Sequence, residues 1–129
     1  MVISTCGMRK KVMVVDDEED IRLTVGQILE VSGYDVISAE TGLDCLEKME
    51  RERPDLVILD IMMPGISGWD VAARIKEHEE WSGIPIVFLT AKGDDMSVGM
   101  GGLASVEYIV KPFDIQRLKS CVERIFKEK

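Results

Sequence analysis

Short apolar runs alternate along this chain with longer stretches whose apolar residues recur every three or four positions. Lys11-Val12-Met13-Val14-Val15-Asp16 is an apolar run closed by an acid and predicts a first strand. Ile21, Val25, Ile28, Leu29 and Ser32 then share one helical face, and Gly33 supplies the stop. Tyr34 to Ala39 alternates, as a strand at a sheet edge does. Leu43, Cys45, Leu46 and Met49 predict the inward face of a second helix. It opens with Thr41-x-x-Asp44, in the manner of a capping box, and stops before Pro54. Asp55 to Asp60 is a third strand, and its Leu56-Val57-Ile58-Leu59 core is the signature of a strand buried on both faces. Met63-Pro64-Gly65 and Gly68 break the chain into a loop. Ser67-x-x-Asp70 opens a third helix with Val71, Ala72 and Ile75 inward. Ile84 to Thr90 is a fourth strand that tolerates Pro85 near its start.

Beyond Thr90 the pattern weakens. Met96, Met100 and Leu103 place a helix over 94–104, interrupted by Gly99, Gly101 and Gly102, each costing roughly 1 kcal/mol against Ala. Val106 to Val110 is a fifth strand, and Lys111-Pro112-Phe113 turns the chain. Asp114 caps a last helix whose expected buried face is Ile115, Leu118, Cys121, Val122 and Ile125. Residues 1–10 lack periodicity and read as a loose tail, and 11–127 as one domain with no output domain in this chain. Five strand–helix repeats with right-handed crossovers predict an α/β fold: a doubly wound five-stranded parallel sheet in a three-layer (βα)5 sandwich.

Composition narrows the function. The 129 residues carry a net charge of -8. That disfavours direct nucleic-acid binding, which needs a basic patch, and anionic membrane surfaces as well. No run of 18 apolar residues exists to span a membrane, and Met1 to Met8 is too short and polar for a signal peptide. Cys6, Cys45 and Cys121 follow no metal or disulfide spacing, which fits a reducing, cytoplasmic setting. His78, the only histidine, lies in a polar helix end and is expected on the solvated surface.

The chemistry collects at the carboxyl ends of the strands, which in this architecture share one rim. Strand one delivers Asp16 and Asp17, strand three Asp60, strand four Thr90 and strand five Lys111. Taken singly, each has a plain structural role as a cap, strand residue or surface charge. Together, three crowded carboxylates call for a cation. A hard divalent ion such as Mg²⁺ suits them and prefers a phosphate oxygen as a further ligand. Such a site can run phosphoryl transfer with Asp60 as a carboxylate nucleophile, Lys111 neutralising phosphoryl oxygens and Thr90 donating a hydrogen bond.

Four stretches in order carry a family resemblance: Val14-Val15-Asp16-Asp17-Glu18, Leu59-Asp60-Ile61-Met62-Met63-Pro64-x-x-x-Gly68, Phe88-Leu89-Thr90-Ala91-Lys92 and Tyr108-Ile109-Val110-Lys111-Pro112-Phe113. The chain resembles the receiver domain of two-component response regulators, the family of the single-domain chemotaxis regulator. The resemblance implies a flavodoxin-like strand order of 2-1-3-4-5. It implies that Asp60 is the phosphoacceptor and that Asp16 and Asp17 bind Mg²⁺, with Mn²⁺ as a substitute. Asp60 itself and the backbone carbonyl of Met62 complete the ligands. It makes Lys111 the phosphate-contacting lysine, joined to Pro112 by a cis peptide, and Thr90 with Tyr108 the switch pair. The implied donor is a sensor histidine kinase or a phosphotransfer protein. The implied outputs are a downstream protein, or a phosphorylation-dependent homodimer, at the face formed by the 94–104 helix, the fifth strand and the last helix. The family acts on its own phosphorylation and dephosphorylation and on no separate substrate, so no enzyme activity toward another molecule is expected.

Two features depart from the family pattern: Ala104-Ser105-Val106-Glu107 before the strand-five tyrosine, and the glycines before it. Residues 94–105 are therefore expected to be loose and to gain helix on phosphorylation. Rival functions fit less well. A haloacid-dehalogenase-type phosphatase wants Asp-x-Asp after the first strand, and an FMN carrier wants a Ser/Thr/Gly-rich loop where this chain has five acids. A degenerate receiver would lack part of the five-residue set.

Overall fold

A computed structural model, described for residues 9–91 and 107–128, contains five strands and four helices in that range. They run β1 (Lys11–Val15), α1 (Glu19–Val31), β2 (Asp35–Ala39), α2 (Gly42–Glu52), β3 (Leu56–Asp60), α3 (Gly68–Glu77), β4 (Ile86–Ala91), β5 (Glu107–Lys111) and α4 (Ile115–Glu128). All strand pairs are parallel, in the order β2-β1-β3-β4-β5. The sequence order reverses between β1 and β3, so the loops leaving these two strands diverge and open a crevice between them. The helix expected over 94–104, and its coupling to phosphorylation, lie outside the described residues, as does Cys6.

The apolar runs behave as a doubly covered sheet requires. All five residues of β3 are buried, and alternate residues enter two separate cores. Met13, Val15, Val57, Leu59 and Phe88 pack with Cys45, Met49, Val71, Ala72 and Ile75 on one face. Val12, Val14, Ile58, Leu89 and Ile109 pack with Val25, Leu29, Leu118 and Val122 on the other. β2 is an edge strand, as its alternation predicts. Pro85 stands just before β4 and contributes its carbonyl, which accepts the Val57 N–H at 3.1 Å.

The helix starts follow the sequence signals. The Asp44 N–H donates to Thr41 Oγ1 (3.0 Å), Asp70 N–H to Ser67 Oγ (3.2 Å) and Arg117 N–H to Asp114 Oδ1 (2.6 Å). Each is a side-chain cap on an otherwise unpaired helix N–H. Glu19 and Asp20 occupy the first turn of α1, where the helix dipole favours acids.

Two expectations, for Leu43 and Ile115, are corrected. Leu43 is 62% exposed, because Gly42 takes the inward position and lets α2 settle on Ile66 and Val71. Ile115 is 59% exposed, since it opens α4 at the rim and Phe113 packs against that core in its place. His78 caps the end of α3 on the surface, as expected, and is half-buried there because the chain doubles back and stacks Trp81 on its ring at 3.7 Å. No helix among the described residues is long and apolar enough to cross a membrane.

Candidate functional site

β1 passes into α1 through Asp16, Asp17 and Glu18. Asp16 is fully buried and fixed at four points. Its N–H donates to the Ala39 carbonyl at 3.2 Å, and its Oδ1 accepts from the Glu18 N–H at 2.9 Å. Its Oδ2 accepts from Lys111 Nζ at 3.1 Å, and its carbonyl accepts from Arg22 Nη1 at 2.7 Å. Asp17, one residue on, is exposed.

β3 ends in Asp60, buried among its neighbours with 5% of its surface open. Its Oδ1 accepts from the Met62 N–H at 3.3 Å and lies 3.6 Å from Lys111 Nζ. Behind it, Gly68 begins α3 and donates its N–H to the Ile61 carbonyl at 2.8 Å. A β-carbon at Gly68 would stand 2.3 Å from the Asp60 carbonyl oxygen and 2.7 Å from Ile61 Cα. The glycine is thus what lets a helix lean on the backbone of the rim carboxylate. Trp69 follows and packs its ring against Phe88 of β4, 4.5 Å between centroids.

One carboxylate oxygen from each of Asp16, Asp17 and Asp60 lies within 4.8 Å of the other two. Lys111, the last residue of β5, reaches two of these acids, and its peptide bond to Pro112 is cis, as expected. Thr90 follows Leu89, the register partner of Asp60, and is buried. Tyr108 pairs with Phe88, two positions before the Val110 that pairs with Thr90. It therefore shares Thr90's face of the sheet, and it stands 41% exposed.

The charges perturb one another. Burial, then the neighbouring Asp16, pushes the Asp60 carboxyl up to about 6, against the pull of Lys111 and the Met62 N–H. Burial alone would lower the Lys111 ammonium, but its hydrogen bond and charge pairing with Asp16, then Asp60 and Glu18, hold it above its ordinary value. A lone ammonium cannot balance three acids. Hard oxygen donors at this spacing suit a hard divalent cation. Burial pushes the Cys45 thiol up to about 12 and raises Cys121, consistent with both being packing residues.

All five rim residues expected from the sequence thus lie at the ends of their strands; the three acids cluster there, and the lysine pairs with Asp16 and Asp60. Arg22 was missed. Its signal is faint: a basic residue in the first turn of a helix, where the dipole disfavours it.

Comparison with known proteins gives the family. Residues 12–123 match the family described as response regulator receiver domain. The chain belongs to the response regulator receiver domains. It is 39% identical over 121 residues to the alkaline phosphatase synthesis transcriptional regulatory protein PhoP of Bacillus subtilis, covering 93% of this chain and 50% of that one. It is 34% identical over 118 residues to sporulation initiation phosphotransferase F of Bacillus subtilis, covering 91% and 94%. The receiver domain therefore spans about half the length of PhoP and nearly all of the second relative. Among solved structures, a CheY-like response regulator receiver domain protein from Methanospirillum hungatei superposes with a TM-score of 0.80 at 36% identity, over 90% of this chain and 93% of that one. Chemotaxis protein CheY4 of Vibrio cholerae gives 0.83 at 27%, over 90% and 98%. The two solved structures superpose on the five-stranded parallel fold described above, and this chain is a receiver domain of two-component signalling.

Proposed function

We propose that this receiver domain accepts a phosphoryl group on Asp60 from a phosphohistidine of a sensor kinase or phosphotransfer protein. The observation that carries the reading is the Asp60 carboxylate, set among Asp16, Asp17 and Lys111 at the strand ends. Although burial and Asp16 raise its carboxyl to about 6, Asp60 is still mostly ionised at pH 7, the form a nucleophile needs. Its oxygen attacks phosphorus, the P–N bond breaks with its electron pair going to the ring nitrogen, and the donor, protonated beforehand on its other ring nitrogen, leaves as neutral imidazole. An acyl phosphate remains on Asp60.

The chain's own residues manage the charge. Lys111 is already between Asp16 and Asp60 and moves a short distance to a phosphoryl oxygen. The Met62 N–H, now on Asp60 Oδ1, marks the edge of the pocket. Asp16, Asp17, Asp60 and the Met62 carbonyl would hold Mg²⁺, or Mn²⁺ in its place. When bound, the cation supplies electrostatic stabilisation of the transferring group. Thr90 donates its hydroxyl to the phosphoryl group once it has arrived.

The modification replaces the carboxylate charge with a phosphoryl group of about two negative charges, a net gain of about one, and brings new acceptor oxygens to a site where only one arrangement of Thr90 and Lys111 can bond them. That arrangement gains population, and Tyr108, exposed in this state, turns inward. The changed face, comprising 94–104, β5 and α4, then meets a downstream protein or a second copy of the chain. The domain promotes its own phosphorylation and dephosphorylation and acts on no other substrate.

Incubation with a small phosphodonor and Mg²⁺, followed by intact mass, tests this. One added phosphoryl group is expected, absent in Asp60→Asn and absent with chelator. No adduct on the wild type under any condition overturns the reading.

A further inference from the structure

We propose that Arg22 is a positioning residue for the divalent-cation site, holding the Asp16–Asp17 turn through the Asp16 carbonyl. The inference rests on the cation-binding role proposed above for Asp16 and Asp17.

The peptide that joins the two acids decides where the Asp17 carboxylate stands. Asp16 has its own carboxylate tied at both oxygens, to the Glu18 N–H and to Lys111. The carbonyl of the joining peptide has a different anchor: it accepts Arg22 Nη1 at 2.7 Å. Asp17 itself is exposed, so the orientation it presents to a cation is inherited from this peptide. Among the described residues, Arg22 is the side chain seen to grip it.

Three features single out this grip as the reason for the arginine. A cation in the first turn of α1 opposes the helix dipole, so the residue is not there to stabilise the helix. Its side chain is only 13% exposed, whereas its ion-pair partner Glu40 lies 3.8 Å away and is 69% exposed. A long, solvated pair of that kind contributes little. Finally, the guanidinium engages the Asp16 carbonyl and not the carboxylates that would face a metal. It stays protonated at any working pH, so the turn is held before a cation arrives and after it leaves.

Helical geometry explains how it reaches. Side chains on a helix lean toward its N-terminus, so Arg22 points back over the turn that precedes α1. Its own N–H donates to the Glu18 carbonyl at 3.2 Å, fixing the base from which the side chain extends.

The test is Mn²⁺ binding to the full chain, read from the paramagnetic resonance signal of the free ion, with thermal unfolding in chelator alongside. Loss of a partner behind a metal ligand costs about tenfold or more in affinity. Arg22→Ala is therefore expected to bind Mn²⁺ about tenfold more weakly. Arg22→Lys, with a single donor group, should fall between the two, and Glu40→Gln should bind as the wild type. A purely structural role would lower the unfolding temperature in chelator and leave Mn²⁺ affinity unchanged, and that result overturns the proposal. So does a Glu40→Gln loss equal to that of Arg22→Ala. If Arg22→Ala does not fold, wild-type affinity in Arg22→Lys overturns it instead. A wild-type chain that binds no Mn²⁺ refutes the cation-binding reading itself, a separate failure visible before any variant is made.

Discussion

Replacing Gly68 by alanine should damage this domain more than its size suggests. The new methyl group would stand 2.3 Å from the Asp60 carbonyl oxygen and 2.7 Å from Ile61 Cα, well inside contact distance. Both obstacles are backbone of the buried strand end, which cannot swing aside as a side-chain tip can. Either α3 lifts off the rim or the Asp60–Ile61 peptide moves. Overpacking of this kind costs about 1–3 kcal/mol. The helix propensity gained by alanine returns at most about 1 kcal/mol, and less at the first helical position. The net loss of about 1–2 kcal/mol lowers the unfolding temperature by roughly 3–8 °C at this size. Two glycines serve as controls. At Gly42 the clash is with side-chain atoms of Ile66 and Val71, which have rotamers to use, so Gly42→Ala should cost less. At Gly83 nothing lies within 4 Å, so Gly83→Ala should be neutral or slightly stabilising. Scanning calorimetry of the three variants ranks them, and the rate of phosphoryl uptake should fall in Gly68→Ala alone. Equal melting temperatures for Gly68→Ala and Gly83→Ala, with equal phosphorylation rates, would refute the claim that α3 bears on Asp60.

Two further outcomes follow from the charges. Asp60 has a folded value of about 6 against 3.8 unfolded, so its ionisation works against the fold as pH rises through that window. The penalty approaches about 3 kcal/mol above pH 6 and vanishes below pH 4. Asp60→Asn should thus raise the unfolding temperature at pH 7.5 and leave it unchanged near pH 3.5, and a gain independent of pH would contradict the assignment. Lys111→Met leaves the fully buried Asp16 without its ammonium partner, which should cost about 3–5 kcal/mol at neutral pH. Urea titration at pH 7 measures this, and an unchanged midpoint would refute it.

Most of the site was legible because the strand ends speak plainly. Asp16, Asp60 and Lys111 each close an apolar run, and parallel strands in a doubly wound sheet must end on the same rim. Caps at Thr41, Ser67 and Asp114 were equally local, each a side chain bonding an N–H three residues on. What escaped was what depends on how close two elements approach. Leu43 and Ile115 have the right spacing for an inward face, but Gly42 and Phe113 fill those places once the helices dock. The role of Gly68 as a contact, beyond a loop break, appears only when α3 is laid against β3. Arg22 reads in one dimension as a misplaced charge, and its carbonyl partner lies in a turn whose shape no pattern states.

The strand that carries Asp60 is held on every side. β3 has neighbours on both sides and helices on both faces, and none of its five residues reaches solvent beyond 5%. β5 lies two strands away at the sheet's margin, with Tyr108 and Val110 open to water. Local opening is cheapest where few apolar contacts hold the backbone. A modification lodged in the rigid centre therefore finds little compliance around itself. Under the phosphoryl-acceptor function proposed above, the deformation would pass outward across β4 to the margin, much as a load on a stiff plate shows first at its unsupported edge.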